Sequence, residues 1–313
     1  MQIHSKFMPN LVTQLFNLYL PLVWWTLLGW LFGHYLPKTA PTYLGHFLFW
    51  VGVPVSILAF LRGADLSGQV WIAPIVAWVA ILLGAGLAWL WSLYQPTWDR
   101  PTQGSFLLAS MVGNTGYLGF PVALALGGQQ LFAWALFYDM LGTTWGAYGL
   151  GVVLASRLGL GTQSRSQLTL ALLKNPALWG FALGLAARDV PLPSVLETGL
   201  HQAGWSAIVL ALILIGMRLS QLPSLSRLNS ASVSLGIKMI VVPLTVSLSL
   251  PFLPISEAEK HTIVLQMAMP PAFATLVLAE TYGLDKNLAV TSLAVGSIGL
   301  LLILPVWLWL FSL

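Results

Sequence analysis

Long apolar stretches recur along the whole chain, separated by short segments that contain Pro, Gly or charged residues. A helix that spans a bilayer needs about 20 mainly apolar residues. Ten stretches fit this requirement, of which the sixth is short and ends at Arg188-Asp189. They cover residues 15–36, 43–62, 70–93, 104–127, 131–156, 175–188, 196–218, 232–250, 260–280 and 287–311. The pattern therefore predicts an all-α polytopic membrane protein with ten transmembrane helices.

The composition agrees with this pattern and excludes several classes of protein. Of the 313 residues, 58% are hydrophobic and 7% are charged, whereas about 25% of the residues in an ordinary soluble domain are charged. A soluble domain, a disordered chain and a nucleic-acid-binding module are excluded on these grounds. The chain has no Cys, which excludes disulfides and thiolate metal sites.

Basic residues predict how the chain is oriented in the membrane, because cytoplasmic loops carry an excess of Lys and Arg. If the N-terminus lies outside, the cytoplasmic loops hold Lys38, Arg100, Arg157, Arg165, Lys174, Arg218, Arg227 and Lys286. The outer loops then hold only Lys6, Arg62, Arg188 and Lys260. The remaining base, Lys238, is assigned to the cytoplasmic headgroups. We therefore expect an integral cell-membrane protein with both termini on the outer side.

The ten predicted helices divide into two sets of five. Residues 1–156 form the first set and residues 174–313 the second, joined by a short cytoplasmic connection at 157–173. An offset of 156 residues relates the two sets; it aligns Pro37 with Pro193, Arg62 with Arg218, Gly127 with Gly283, and Asn114-Thr115 with Pro270-Pro271. Because each set has an odd number of helices, the second copy would be inverted in the membrane.

Two of the stretches contain residues that break helices. The fourth contains Gly113, Gly116, Gly119 and Pro121, and the ninth contains the pair Pro270-Pro271. Within a helix, Gly costs about 1 kcal/mol and Pro about 3 kcal/mol relative to Ala. Broken helices persist in a membrane only where the freed backbone groups face protein or a watery cavity. The alternative is that these are ordinary proline kinks and close-packed glycines.

A helix that restarts after a break presents unpaired N–H groups and a partial positive charge at its N-terminus. Two such ends facing each other would bind a carboxylate without a buried base. We expect Asn114 and Thr115 to orient the carboxylate, and the helix ends at Gly116 and Pro271 to attract it. Apolar side chains such as those of Met269 and Phe273 would select the rest of the substrate, and Gln266 is a further candidate for lining the site.

One acidic residue lies inside a predicted membrane helix. Asp139 is in the fifth stretch, and Thr143 follows it by about one helical turn. An ionisable group at that depth is costly and is by default a functional hypothesis. It would titrate or hold a cation during transport. The alternative is a protonated carboxyl group that bonds to a neighbouring helix.

Motifs for enzymes and metal sites are absent from the sequence. It has no G-x-S-x-G, no H-E-x-x-H and no phosphate-binding loop. The His residues near the predicted helix ends have no ligand spacing. We therefore expect neither an enzyme nor a bound metal or cofactor, and leave Na⁺ or H⁺ coupling open.

Four segments together carry a resemblance to a known family. They are LRGADLSGQVWIAP (61–74), GNTGYLGFPVALALGG (113–128), LKNPALWGFALGLA (173–186) and MPPAFATLVLAETYGLD (269–285). The chain resembles the auxin efflux carrier family, which includes plant PIN-type carriers and bacterial malate and malonate carriers. The resemblance implies two inverted five-helix repeats, broken crossover helices four and nine, a scaffold of helices one, two, six and seven, and a homodimer.

The resemblance also implies roles for particular residues. Asn114 matches the asparagine that contacts the substrate carboxylate, and Pro121 and Pro270 match prolines of the two crossover helices. Asp65 matches an acidic residue near the crossover, but Gln69 stands where the plant proteins have Lys. Gly113 replaces a plant proline. The short connecting loop is more like that of bacterial members.

These observations predict a secondary transporter of small organic carboxylate anions that works by an elevator-like, alternating-access movement. Its partners would be the anion, the bilayer and a second copy of the chain, and not a nucleic acid. Two alternatives stay open. One is a sodium-coupled, bile-acid-type symporter, and the other is a membrane sensor that binds organic acids without transporting them.

Overall fold

The computed structural model describes residues 20–21, 23–62, 66, 68–159, 176–221 and 227–310. Within these ranges the chain is helical and has no strand, and one isolated β-bridge joins two interhelical segments. The predicted all-α fold class is therefore confirmed. Asp65 and most of the predicted connection at 157–173 lie outside the described residues.

We number the helices in chain order. They are α1 (20–35, with 22 not described), α2 (Ala40–Arg62), α3 (Ile72–Leu93), α4 (Arg100–Met111), α5 (115–127), α6 (129–158), α7 (Pro176–Ala186), α8 (Ser194–Ser220), α9 (Leu228–Phe252), α10 (Glu257–Met267), α11 (Phe273–Tyr282) and α12 (Lys286–Leu310). Gly128 separates α5 from α6 because it adopts a left-handed φ of 61°, which only Gly adopts freely.

Five of these helices, α2, α3, α8, α9 and α12, are long and apolar enough to cross a membrane. Shorter apolar helices occur at Thr115–Leu124, in α7 and in α11. The fourth predicted stretch is divided into α4 and α5, and the ninth is divided into α10 and α11. The described outer surface also leaves large apolar side chains uncovered, such as Leu82 and Leu302. A bilayer covers such side chains, so we describe the chain as an integral membrane protein.

One group of helices packs around α2. The second half of α2 lies against both α7 and α8. There, Gly180 of α7 closely approaches the backbone of Pro54. Ser56 donates a hydrogen bond to the Gly204 carbonyl of α8, with 3.2 Å between the oxygens. Arg62 closes one end of this group through an ion pair with Glu197, at 3.1 Å. Helix α1 joins the group through α8, as described below.

The remaining helices pack around the two divided segments. Helix α3 lies against α4, α6 and α9, and α4 also contacts α11 and α12. Asp285, just before α12, ties three of these helices together at one end. Its carboxylate accepts from Thr102 of α4 at 3.1 Å and pairs with Arg227, just before α9, at 3.0 Å. Its backbone carbonyl accepts from Ser105 at 2.8 Å.

The closest backbone approach between α1 and α8 generates a stability prediction. A Cβ atom at Gly216 would overlap the Thr26 carbonyl oxygen and would lie 2.6 Å from the Trp30 nitrogen. Because these are backbone atoms, Gly216→Ala can be accommodated only if the helices separate. Overpacking of this kind costs about 1–3 kcal/mol. We expect a lower midpoint of thermal unfolding for the purified protein in detergent.

Gly299→Ala in α12 is the matched control, because no atom outside its own helix lies within 4 Å of that Cβ position. Its unfolding midpoint should be unchanged or raised, since Ala favours a helix more than Gly does. Equal midpoints for the two variants would contradict the close packing of α1 on α8.

Candidate functional site

The two helix breaks meet in the interior and pair with each other. Gly113 and Pro271 form an antiparallel β-bridge. The Asn114 N–H donates to the Pro270 carbonyl at 2.6 Å, and the Ala272 N–H donates to the Val112 carbonyl at 3.0 Å. Each break leaves backbone N–H and C=O groups without a partner in their own helix. These groups instead form hydrogen bonds with the other break. We call residues 112–115 and 267–273 the junction.

Asn114 caps the N-terminus of α5 and has one polar group left over. Its Oδ1 accepts from the Tyr117 N–H at 3.2 Å, which is the usual bond of a helix N-cap. This bond fixes the orientation of the amide. The amide nitrogen Nδ2 is buried and has no hydrogen-bond partner. A buried donor without an acceptor costs about 1–3 kcal/mol, so this position fits an oxygen that a ligand supplies.

Thr115 and Asp139 bond to each other beside the start of α5. The Thr115 hydroxyl donates to Oδ1 of Asp139, and both side chains are buried. The other carboxylate oxygen lies 3.5 Å from where a Cβ on Gly116 would be. A carboxylate is favourable at a helix N-terminus. The Thr115 hydroxyl therefore interacts with Asp139, a pairing that the sequence did not predict, and Thr143 is buried nearby in the same π-helical segment as Asp139.

Gln266 joins the end of α10 to α5. Its Nε2 donates to the Gly119 carbonyl at 2.9 Å, and any side chain at position 119 would overlap the amide. Its Oε1 is buried and accepts no hydrogen bond. Gln266 thus borders the junction and offers an unused acceptor where Asn114 offers an unused donor; its role in lining a substrate site stays a prediction.

Two cavities lie on the two sides of an aromatic pair. The rings of Tyr117 and Phe273 meet edge to face, with 5.9 Å between centroids. A cavity of about 250 Å³ adjoins Phe273; its lining includes Arg218, Leu276, Glu280, Lys286 and Ser297. A smaller cavity of about 20 Å³ adjoins Tyr117, and Gly116 and Pro121 contribute to its lining. Met269 is fully buried and lines neither of these two cavities.

The structure overturns the expectation for Lys238. The sequence assigned it to the headgroups, but the residue is only 3% exposed and its Nζ donates to the Met267 carbonyl at 2.5 Å. A Cβ on Gly113 would lie 3.1 Å from the same Nζ. The expectation of a junction without a buried base was therefore wrong.

The error for Lys238 has a simple geometric reason. Helix α9 begins at Leu228, four residues before the predicted stretch at 232–250. Lys238 therefore lies about 15 Å along the helix, at 1.5 Å per residue. One sequence feature could have placed Lys238 inside the membrane span. It is the only charged residue between positions 228 and 256.

Two other predicted site residues, Gln69 and Asp65, are not among the described residues of the junction. Gln69 precedes α3 and is exposed, so it is not part of the buried junction, and Asp65 is outside the described residues. Throughout the described ranges, no three His, Cys, Asp or Glu side chains come together in a way that could hold a metal ion.

Comparison with known proteins finds similarity to membrane transport proteins. The family described as membrane transport protein matches residues 161–308, which include α7–α12 and the second break. An uncharacterized transporter of Methanothermobacter thermautotrophicus is 29% identical over 260 residues, covering 82% of this chain and 84% of the relative. An uncharacterized transporter of Methanocaldococcus jannaschii is 26% identical over 281 residues, covering 85% of this chain and 88% of the relative.

These matches agree with the resemblance that the sequence motifs carry. The second half of the chain is similar to the membrane transport protein family, and most of its length is similar to two uncharacterized transporters.

Proposed function

We propose that this chain is a membrane transporter that carries small organic anions and binds their carboxylate at the junction. The observation that carries the proposal is the unpaired, buried amide Nδ2 of Asn114 at the N-terminus of α5. The first N–H groups of α5 and its partial positive charge favour an anion at the same place. A carboxylate oxygen would accept the hydrogen bond that Asn114 lacks.

The cavity beside Phe273 supports a small substrate with an apolar part. Its volume of about 250 Å³ is close to the lower end of the range for ligand pockets, which begins at about 300 Å³. Ile215, Leu219 and Leu276 give it apolar walls. Arg218 is basic, and Lys286 is paired with Glu280 of the same lining at 2.7 Å. An organic anion suits this combination better than an inorganic ion.

The pairing within the junction supports two inverted repeats, residues 1–156 and 174–313, each with five spans. The offset of 156 aligns Asn114 with Pro270, and these two residues bond to each other. The pairs 113 with 271 and 112 with 272 continue the same antiparallel pairing on one side of that bond. Residues related by a two-fold axis come close together where they approach that axis.

We infer further that α4–α5 and α10–α11 act as crossover helices in a body that moves against α1, α2, α7 and α8. Both cavities lie on the border between these groups. The larger is lined by α8 on one side and by α11 and α12 on the other, and the smaller lies between α5 and the helices α2 and α8. Voids along a border leave room for an elevator-like movement. The positive-inside asymmetry supports both termini on the outer side.

A cation-coupled symporter remains the second candidate within transport. The unpaired Oε1 of Gln266 and the carboxylate of Asp139 are oxygen ligands of the kind that alkali cations bind. Uptake in media with and without Na⁺ separates this candidate from a cation-independent carrier. Binding without saturable uptake would instead support a sensor.

Asn114→Asp tests the carboxylate site with little change in shape. Asp also caps helices well, so α5 should be retained. It replaces the unpaired donor by a negative charge, so we expect uptake of benzoate, hexanoate and malonate into proteoliposomes to fall at least tenfold. Losing a hydrogen bond to a charged group costs about 1.5–3 kcal/mol, which supports this magnitude.

Asn229→Asp is the matched control, since Asn229 is exposed in the first turn of α9. It should transport like the wild type. Wild-type KM for all three acids in Asn114→Asp would exclude a carboxylate site at Asn114.

Thr115→Val and Asp139→Asn test whether these residues act as a unit. Thr115→Val removes the donor of the buried hydrogen bond, and Asp139→Asn replaces its carboxylate acceptor by a weaker amide oxygen. The double variant should therefore lose less initial uptake rate than the product of the two single losses. Losses that multiply would show independent roles. If Asp139→Asn keeps the pH and Na⁺ dependence of wild-type uptake, Asp139 has no part in coupling.

A further inference from the structure

Lys238 is a buried base without a counter-charge among the described residues. The ion pairs found there are Arg62–Glu197, Arg227–Asp285, Lys260–Glu257 and Lys286–Glu280. None includes Lys238, which is 3% exposed and lies in the middle of α9. Removing an ammonium group from water costs several kcal/mol unless an opposite charge offsets it. An ionisable residue at this depth of a membrane helix is by default a functional one.

Two contacts hold the ammonium group at the junction. Its Nζ donates to the carbonyl of Met267, the last residue of α10, where the helix dipole is negative. It also packs against Gly113, the residue before Asn114. A Cβ atom at position 113 would lie 3.1 Å from both Cε and Nζ, so a larger residue there would displace the end of the lysine side chain. The positive charge is therefore fixed next to the residue that carries the unpaired amide.

Carbonyl groups at the ends of broken helices are where transporters coordinate Na⁺. Here the Met267 carbonyl accepts from a lysine of the protein itself. The other buried charge near the junction, Asp139, approaches from α6 and bonds to Thr115 on the α5 side. A carboxylate bound at Asn114 would bring the negative charge that Lys238 lacks.

We propose that Lys238 is the fixed counter-charge of the transported carboxylate, so that the loaded junction needs no bound alkali cation. This inference rests on the proposed function and sharpens it. The site selects a carboxylate over its uncharged amide, and transport is independent of Na⁺. A purely structural lysine would instead serve only to satisfy the Met267 carbonyl.

Lys238→Met and Lys238→Gln distinguish these two roles. Both remove the charge, but Gln keeps a donor for the Met267 carbonyl. We expect both variants to weaken the binding of benzoate at least tenfold while leaving that of benzamide unchanged, measured by ligand-induced shifts of the unfolding midpoint. The midpoint of ligand-free Lys238→Met should not fall, because the variant no longer buries an unpaired charge.

Lys38→Met is the control, since Lys38 is exposed in the loop between α1 and α2. It should bind benzoate like the wild type. Wild-type uptake of benzoate into proteoliposomes should be equal in Na⁺ and choline media, whereas Lys238→Met should take up little in either.

Three results would overturn the inference. The first is benzoate affinity in Lys238→Met or Lys238→Gln equal to that of the wild type, with or without a lower unfolding midpoint. The second is wild-type uptake that requires Na⁺. The third is a wild-type protein that binds benzoate no better than benzamide. If the wild type binds no benzoate, hexanoate or malonate at all, the proposed function itself fails.

Discussion

In a bilayer, every backbone N–H and C=O group must find a partner within the protein. The junction depends on this constraint. Neither break could persist alone, because several backbone groups would lose their helical hydrogen bonds in an apolar medium. Each break instead bonds to the other through Asn114 with Pro270 and Ala272 with Val112. The polar groups left over, above all the amide of Asn114, are concentrated at one buried place where a ligand can use them.

Charges are arranged around the junction according to the polarity of the helix ends. Asp139 lies beside the N-terminus of α5, and Lys238 lies at the C-terminus of α10. Each residue also belongs to a π-helical segment, Tyr138–Thr143 or Ile237–Val241. Such segments are rare and are frequent at functional sites. Two buried ionisable side chains, each next to a helix end, make the junction a polar centre among largely apolar helices.

Sequence reasoning found the helix breaks because Gly113-Asn114-Thr115-Gly116 and Pro270-Pro271 are incompatible with a continuous helix. It singled out Asn114, Gln266 and Asp139 as candidates because polar groups are conspicuous in apolar stretches. It could not find the bond between Thr115 and Asp139, which are 24 residues apart and meet only through tertiary packing. It misplaced Lys238 because a hydropathy pattern locates helix ends only within a few residues, and four residues decide whether a lysine is interfacial or central.

The two prolines of the second break limit which of its backbone groups can donate hydrogen bonds to the first break. Pro270 and Pro271 have no N–H, so this part of the chain can offer only carbonyl oxygens until Ala272. If the second break slipped so that Pro271 took the place of Ala272, a proline would stand where the pairing requires a donor. The prolines therefore exclude a slip of the pairing in that direction. A conformational change that leaves these bonds intact therefore moves the two breaks together.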